Sequence, residues 1–402
     1  MKILWVSPHF LHPTTTGGRI RTLQILRHLH SRHEVHFAAL SLPGAPEGPL
    51  KAGEYSSRSC GVPHSVADKR SAAFLGQVAK GLFSPVPLAV SRFYSPALAR
   101  GVLELTEHEN YDRQVCDFLA AAPHLPDLSR AVLFQHNVET VIWRRRAQHA
   151  ADPLTRTLLR VQADRMYRYE RQACRTARTV VAVSPVDVRT MREMFGVTRI
   201  HEIPTGVDVD YFMPAGPSPP ASDLLYVGSM DWAPNVDAVK SFLRDILPLI
   251  HRRRPQSTFA VVGRDPPPEL VAAARNDPRV TVTGTVADVR PYLWGAKVAV
   301  VPLRVGGGTR LKIYECMAAR TPVVSTHVGA EGLEVSHPET IRLADAPDQF
   351  ARACLELMES DTGRARMAEA AWQLVSSKFS SRQVALRFEE LLEAVPTKRS
   401  AV

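Results

Sequence analysis

The sequence predicts an α/β protein made of two doubly wound, Rossmann-like domains. Three observations carry that expectation. Lys2–Ser7 is an apolar strand that runs into a loop closed by Gly17 and Gly18, then into a helix-spaced stripe and a second strand, Glu34–Leu40. Val298–Ser325 repeats the pattern: apolar strand, glycine triplet, helix, apolar strand. Strand, glycine loop, helix, strand is the unit of a parallel sheet, and such loops sit where open α/β sheets bind ligands. The third observation is a boundary. The chain has 402 residues, enough for two cores, and Pro214–Ser222 reads PAGPSPPAS, a Pro-rich linker. The predicted division is residues 1–208, a linker over 209–222, a second domain over 223–375, and a closing helix with a tail over 376–402.

Composition narrows the function classes. Hydrophobic residues make up 45% and charged residues 22%, which excludes bulk disorder. Fifty Lys and Arg against 40 Asp and Glu leave a net charge of +10, which favours anionic partners. Aromatics are only 7% and no nucleic-acid motif is present, so nucleic acid is not an expected partner. The five cysteines (Cys60, Cys116, Cys174, Cys316, Cys354) are scattered and form no CxxC pair, which speaks against structural zinc and a disulfide framework. The N-terminal MKILWVSPHF reads as a strand, and no run reaches the ~18 apolar residues of a spanning helix. A cytoplasmic protein is expected, with contact at the inner membrane face left open.

In chain order, the first helix carries Ile20, Leu23, Leu26 and Leu29 on one stripe. The preceding glycines lack the GxGxxG pattern, which disfavours a nicotinamide site; on residue type alone they are also an ordinary tight turn. Pro43–Pro63 reads as a surface loop, and Ala72–Leu105 as short helical runs between prolines. Arg113–Cys116 and Ala131–Gln135 are short strands, the second running into His136, Asn137 and Glu139. Polar groups just past a strand's carboxyl end mark a site, although a histidine capping the next helix fits as well. Trp143–Arg178 reads as mostly one helix carrying ten arginines. Such a helix either lies on anionic lipid, at about 1 kcal/mol per cation, or is a solvated face. Thr179–Val183 is a further strand.

The second half opens with the strand Leu224–Val227 and the turn Gly228-Ser229-Met230-Asp231, with Asn235 preceding a helix that runs to Ile250. Strands follow at Thr258–Val262 and Val280–Thr285. Past Val298–Val301, Gly306, Gly307 and Gly308 precede Thr309, an N-cap residue, and a helix over Arg310–Ala319. Two cations, Arg310 and Lys312, occupy its first turn, where each costs about 0.3–1 kcal/mol against the helix dipole. A bound phosphate reverses that sign, because free amides, helix end and both cations converge on it. The alternative is a solvated end with Lys312 paired to Glu315. Ala365–Val375 and Ser381–Val395 read as closing helices, and the tail from Thr397 as disordered.

Gly306–Glu315, GGGTRLKIYE, followed by a small-residue run and Pro322-Val323-Val324, resembles the donor-nucleotide segment of GT-B glycosyltransferases, specifically family 4. The resemblance implies two Rossmann-like domains facing across a cleft. It also implies that Glu315 holds the nucleotide ribose. The family's other glutamate would fall at Gly307 and is absent. By the same resemblance Gly17 and Gly18 lie near the donor diphosphate and acceptor, and His136 contacts the donor sugar with Asn137 beside it. The family often places Arg and Lys near Gly228; here Ser229 and backbone amides stand in, with the cationic duty at Arg310 and Lys312. The implied activity is transfer of a sugar from a nucleotide-diphosphate sugar to a glycan or lipid-linked acceptor, as in polysaccharide synthesis. It implies retention of configuration, no metal and no cofactor beyond that co-substrate. A nucleotide-sugar epimerase of the same architecture, and a non-catalytic anion- or membrane-binding module, are the alternatives.

Overall fold

The computed structural model describes residues 1–14, 16–66, 84–148, 150, 152–215, 222–305 and 311–396. The chain forms two compact units, Met1–Thr205 with the stretch from Val384 on, and Gly206–Gln383. Each unit is a doubly wound α/β domain.

In the first unit, β1 (Lys2–Ser7), β2 (Glu34–Ser41), β3 (Arg58–Pro63), β4 (Arg113–Asp117), β5 (Ala131–Phe134), β6 (Thr179–Ala182) and β7 (Ile200–Glu202) form one sheet in the order 3-2-1-4-5-6-7. Every pairing is parallel. Strand alternation supplies both cores. Leu4 and Val6 pack on one face with Leu98, Met166 and Phe195, while Ile3 and Trp5 pack on the other with Leu26, Leu29 and Phe388. Because helices cover both faces, the central strands are apolar at nearly every position. Phe388 comes from the last helix, Ser381–Ala394, and its ring lies 5.5 Å from Trp5 and 5.1 Å from Phe134.

In the second unit, β8 (Leu224–Val227), β9 (Phe259–Val262), β10 (Val280–Val282), β11 (Val298–Val301), β12 (Val323–Ser325) and β13 (Arg342–Leu343) run 10-9-8-11-12-13, also all parallel. Both orders reverse direction at one point, between β1 and β4 and between β8 and β11. Open α/β sheets bind ligands outside the carboxyl ends of the strands at such switch points.

Several expectations are corrected. Pro43–Pro63 is not only loop, since β3 lies within it; this edge strand is half exposed and interrupted by glycine and proline, so it lacks an apolar run. Gly17 and Gly18 do not close a loop but form the first turn of the helix Gly17–His30. The arginine-rich stretch is two helices, Glu139–Gln148 and Pro153–Thr176, because Asp152 caps the second through Thr155 N and Pro153 fits only a first turn. The helix after β8 begins at Ala233, passes through a π-turn at Phe242–Ile246 and ends at Arg253. The edge strands β7 and β13 and the helix Pro347–Glu359 had no counterpart in the sequence reading.

Candidate functional site

At the first switch point, β1 ends in Ser7 and β4 in Asp117, both fully buried. Asp117 accepts from Ser7 Oγ at 3.2 Å, from Thr22 Oγ1 at 3.1 and 3.3 Å, and from His136 Nε2 at 2.7 Å. Arg21 donates to His136 Nδ1 at 2.8 Å and to Thr205 Oγ1. A guanidinium only donates, so Nδ1 is the acceptor and the proton of neutral His136 sits on Nε2, toward Asp117. Burial lowers the His136 pKa against the pull of Asp117, so the ring is neutral. Burial also pushes Arg21 down to about 10, with Asp187 and Asp117 opposing. Both His136 nitrogens are thus engaged, and the ring works as a fixed post.

The ring faces are held as well. Phe118 stacks on His136 at 4.0 Å and Phe134 tilts against it at 4.3 Å. Phe118 adopts φ 65°, and a Cβ on Gly18 would stand 2.7 Å from its Cζ. Gly18 is therefore a packing requirement of this stack. His9 joins at 5.5 Å from Phe118, its pKa brought down to about 4 by burial and by Arg19.

Beside His136, Glu170 reaches from the helix Pro153–Thr176 to the start of the helix Glu139–Gln148. It accepts from Glu139 N at 2.9 Å, Thr140 N at 2.8 Å, Thr140 Oγ1 at 2.6 Å and Gln135 Nε2 at 3.2 Å. Burial raises it to about 7 against those bonds. Asn137 is half-buried, and its side chain bonds Glu139, a carboxyl that burial raises. These contacts fix the loop after β5 mechanically.

At the second switch point, β8 presents Tyr226 and then Gly228. Lys312, in the first turn of the helix Leu311–Ala318, places Nζ 3.0 Å from Asn235 Oδ1 and 3.2 Å from Tyr226 Oη. The Tyr226 hydroxyl donates to Asn235 Oδ1 at 2.6 Å, and Asn235 Nδ2 donates to the Ser229 carbonyl at 2.7 Å. A Cβ on Gly228 would stand 2.7 Å from Lys312 Nζ, so only glycine admits the ammonium there. Ser229 Oγ donates to Asp231 at 2.6 Å and accepts from Arg264 Nε at 2.7 Å. Glu315, one turn beyond Lys312, is raised to about 7 by burial, with Lys312 pulling it back.

The structure thus gathers Gly18, His136 and, nearby, Asn137 at one switch point, with Gly17 at the adjoining helix start. It gathers Gly228, Ser229, Lys312 and Glu315 in the second unit. Gly306, Gly307, Gly308, Thr309 and Arg310 lie outside the described residues, as do residues 67–83 and 216–221 and the tail from Thr397. Sequence reasoning missed Asp117, Arg21, Thr22, Tyr226, Asn235 and Arg264. Asp117 carried a usable signal, a lone carboxylate ending an apolar strand. Arg21 and Thr22 looked like ordinary positions of an amphipathic helix.

Two His/Glu groups among the described residues bring ligand atoms within 4.8 Å: His33, Glu389 and Glu393, and Glu34, His36 and Glu109. Both carry cations already, Arg32 on Glu389 at 2.9 Å and Lys2 on Glu109 at 2.6 Å. The second group lies at the amino ends of β1 and β2, remote from the switch point. Among the described residues no helix is long and apolar enough to cross a membrane. The helix Pro153–Thr176 nonetheless exposes Leu154 (72%), Leu158 and Val161 at helical spacing, followed by exposed Arg168, Arg171 and Arg175.

Residues 15–211 match the family model Glycosyltransferase Family 4, and residues 221–360 match Glycosyl transferases group 1. An uncharacterized 44.6 kDa protein of the cps region of Klebsiella pneumoniae is 21% identical over 169 residues, 40% of this chain and 44% of that relative. This match therefore spans less than half of that relative's length. The structure of Anabaena HepE in complex with UDP aligns with TM-score 0.67 at 15% identity, covering 98% of this chain and 100% of HepE. Sucrose-phosphate synthase of Thermosynechococcus elongatus aligns with TM-score 0.68 at 16% identity, covering 98% of each. At these identities the likeness is one of fold.

Proposed function

We propose a sugar transfer, from one premise: this chain belongs to the glycosyltransferases of family 4 (group 1), proteins of GT-B fold. The donor is a nucleotide-diphosphate sugar, and the acceptor hydroxyl belongs to a glycan or a lipid-linked glycan. The observation that carries this reading is the Lys312 ammonium set against Gly228 at the end of β8. Departure of a nucleoside diphosphate builds negative charge, and prearranged positive partners stabilise it. Lys312 supplies a point charge there and Arg310, from the sequence, a bidentate fork. Glu315 accepts from the ribose hydroxyls once ionised. HepE holding UDP on the same fold supports the choice of UDP as the first donor base to try.

In the first unit, Asp117 and Arg21 hold His136 in one tautomer and one orientation, as a fixed post beside the donor sugar. Gly17, Gly18 and Asn137 lie by the same switch point and are assigned to the donor with it. No carboxylate is assigned as a covalent nucleophile. The reading is retention of configuration through assistance to the leaving group, without a metal, on a hexose-type sugar. The cps-region relative supports a role in surface polysaccharide synthesis. The exposed Leu154–Leu158–Val161 stripe beside the arginines supports peripheral contact with an anionic inner-membrane face, where a lipid-linked acceptor resides.

The test is a thermal-shift screen of UDP, GDP, ADP and dTDP with their common sugars, on wild type and on Arg310→Ala. A ligand at a hundred times its Kd adds about 2.7 kcal/mol of apparent stability. One nucleotide stabilising wild type and not the variant is expected. No shift with any nucleotide would favour the anion-binding module instead.

A further inference from the structure

We propose that Asn235, with Tyr226 beneath it, is a positioning residue that sets the Lys312 ammonium where the donor diphosphate arrives. The inference rests on the reading above that Lys312 meets that diphosphate.

A lysine reaches its target on a flexible stem, and holding it costs side-chain entropy. A charge useful in a transition state must already be in place. Asn235 supplies that restraint. It is 4% exposed, in the first turn of the helix that follows β8, and cannot swing freely. Its Nδ2 is tied to the Ser229 carbonyl at 2.7 Å, which turns Oδ1 toward Lys312 Nζ at 3.0 Å. Tyr226, fully buried, locks the same oxygen at 2.6 Å, and its ring centroid lies 4.6 Å from the ammonium. The Gly228 backbone approaches both partners closely: a Cβ there would meet Lys312 Nζ at 2.7 Å and Asn235 Nδ2 at 2.9 Å.

The chemistry of the holder matters as much as its place. An amide oxygen and a phenol orient an ammonium without cancelling its charge. A carboxylate at position 235 would orient it equally well and neutralise it, leaving less field for an incoming phosphate. Asparagine is thus the residue type that this duty selects.

The experiment is calorimetric titration of the full chain with UDP and, separately, with uridine, which lacks the diphosphate. Wild type, Asn235→Ala, Asn235→Asp, Tyr226→Phe, Lys312→Ala and the Lys312→Ala/Asn235→Ala double variant are compared, each checked for a native urea midpoint. Asn235→Ala is expected to weaken UDP by about fivefold or more while uridine stays within about twofold, the signature of a lost diphosphate contact. Asn235→Asp should weaken UDP further. In the Lys312→Ala background the Asn235 substitution should have no added effect. Equal weakening of UDP and uridine, or a full Asn235 effect without Lys312, would overturn the positioning role. So would unchanged UDP affinity in Asn235→Ala. If Asn235→Ala lacks a native midpoint, Tyr226→Phe decides by the same criteria. A wild type that binds no UDP but binds another nucleoside diphosphate moves the test to that nucleotide. Binding of none would overturn the donor reading itself, and the positioning role with it.

Discussion

Two adjacent glycines should respond to alanine with opposite signs. Gly17 and Gly18 both lie in the first turn of the helix Gly17–His30, but a Cβ on Gly17 meets nothing within 4 Å. At Gly18 the added carbon falls 2.7 Å from Phe118 Cζ and 3.0 Å from its Cε1. Ordinary contacts need roughly 3.4 Å or more, so the ring must retreat by several tenths of an ångström. It cannot do so alone. Phe118 is stacked on His136 at 4.0 Å, and His136 is bonded to Asp117 and Arg21. Overpacking of this kind costs about 1–3 kcal/mol. Gly17→Ala loses no contact and narrows the unfolded ensemble, a gain of about 0.4–1 kcal/mol. Urea unfolding of both variants against wild type measures the difference. A Gly18→Ala protein as stable as Gly17→Ala would refute the packing argument, and with it the claim that the Phe118–His136 stack is rigid.

The remaining predictions concern charge and surface. Glu315 is raised to about 7 by burial, so UDP binding that needs its carboxylate should strengthen as pH rises through 7. Because the phosphate titrates too, the readout is the part of that slope lost in Glu315→Gln. Without ligand the sign for stability is the reverse: a carboxyl raised in the folded state contributes fully below its unfolded pKa, and the contribution is lost as pH rises through about 7. Wild type should lose more urea stability than Glu315→Gln across that window. Arg21→Lys keeps the charge but cannot span His136 and Thr205, and should lower the unfolding free energy measured in urea by about 1–3 kcal/mol. Replacing Leu154, Leu158 and Val161 together by serine should cut the partition coefficient onto anionic vesicles, read by sedimentation, by well over tenfold, since each apolar side chain buried contributes about 1.5–3 kcal/mol and about 1.4 kcal/mol is already a factor of ten. Unchanged sedimentation would leave that helix a solvated face.

What the sequence revealed followed the physics of each signal. Strands covered on both faces, such as Lys2–Ser7 and Val298–Val301, are near-continuous apolar runs and stood out. Edge strands β3, β7 and β13 are covered less and pair on fewer sides, so their residues carry no run to read. The break at Asp152–Pro153 was legible as cap and proline, but a continuous arginine pattern hid it. The site was half legible. Gly228 and Lys312 announced themselves by residue type, yet their coupling through Asn235 and Tyr226 depends on three segments meeting at one switch point. Asp117 and Arg21 are far apart in sequence and meet only across His136, a relation that no local spacing encodes.

The measurement that bears most directly on the central claim is NMR of a nucleotide-sugar panel incubated with the protein, EDTA and a lipid extract carrying lipid-linked glycans. The account predicts that one donor is consumed only when the extract is present. Its nucleoside diphosphate should appear, and the sugar should enter a lipid-linked product with the donor's anomeric configuration. Conversion of the donor to an epimer or a free sugar without extract, or a product of inverted configuration, would contradict it.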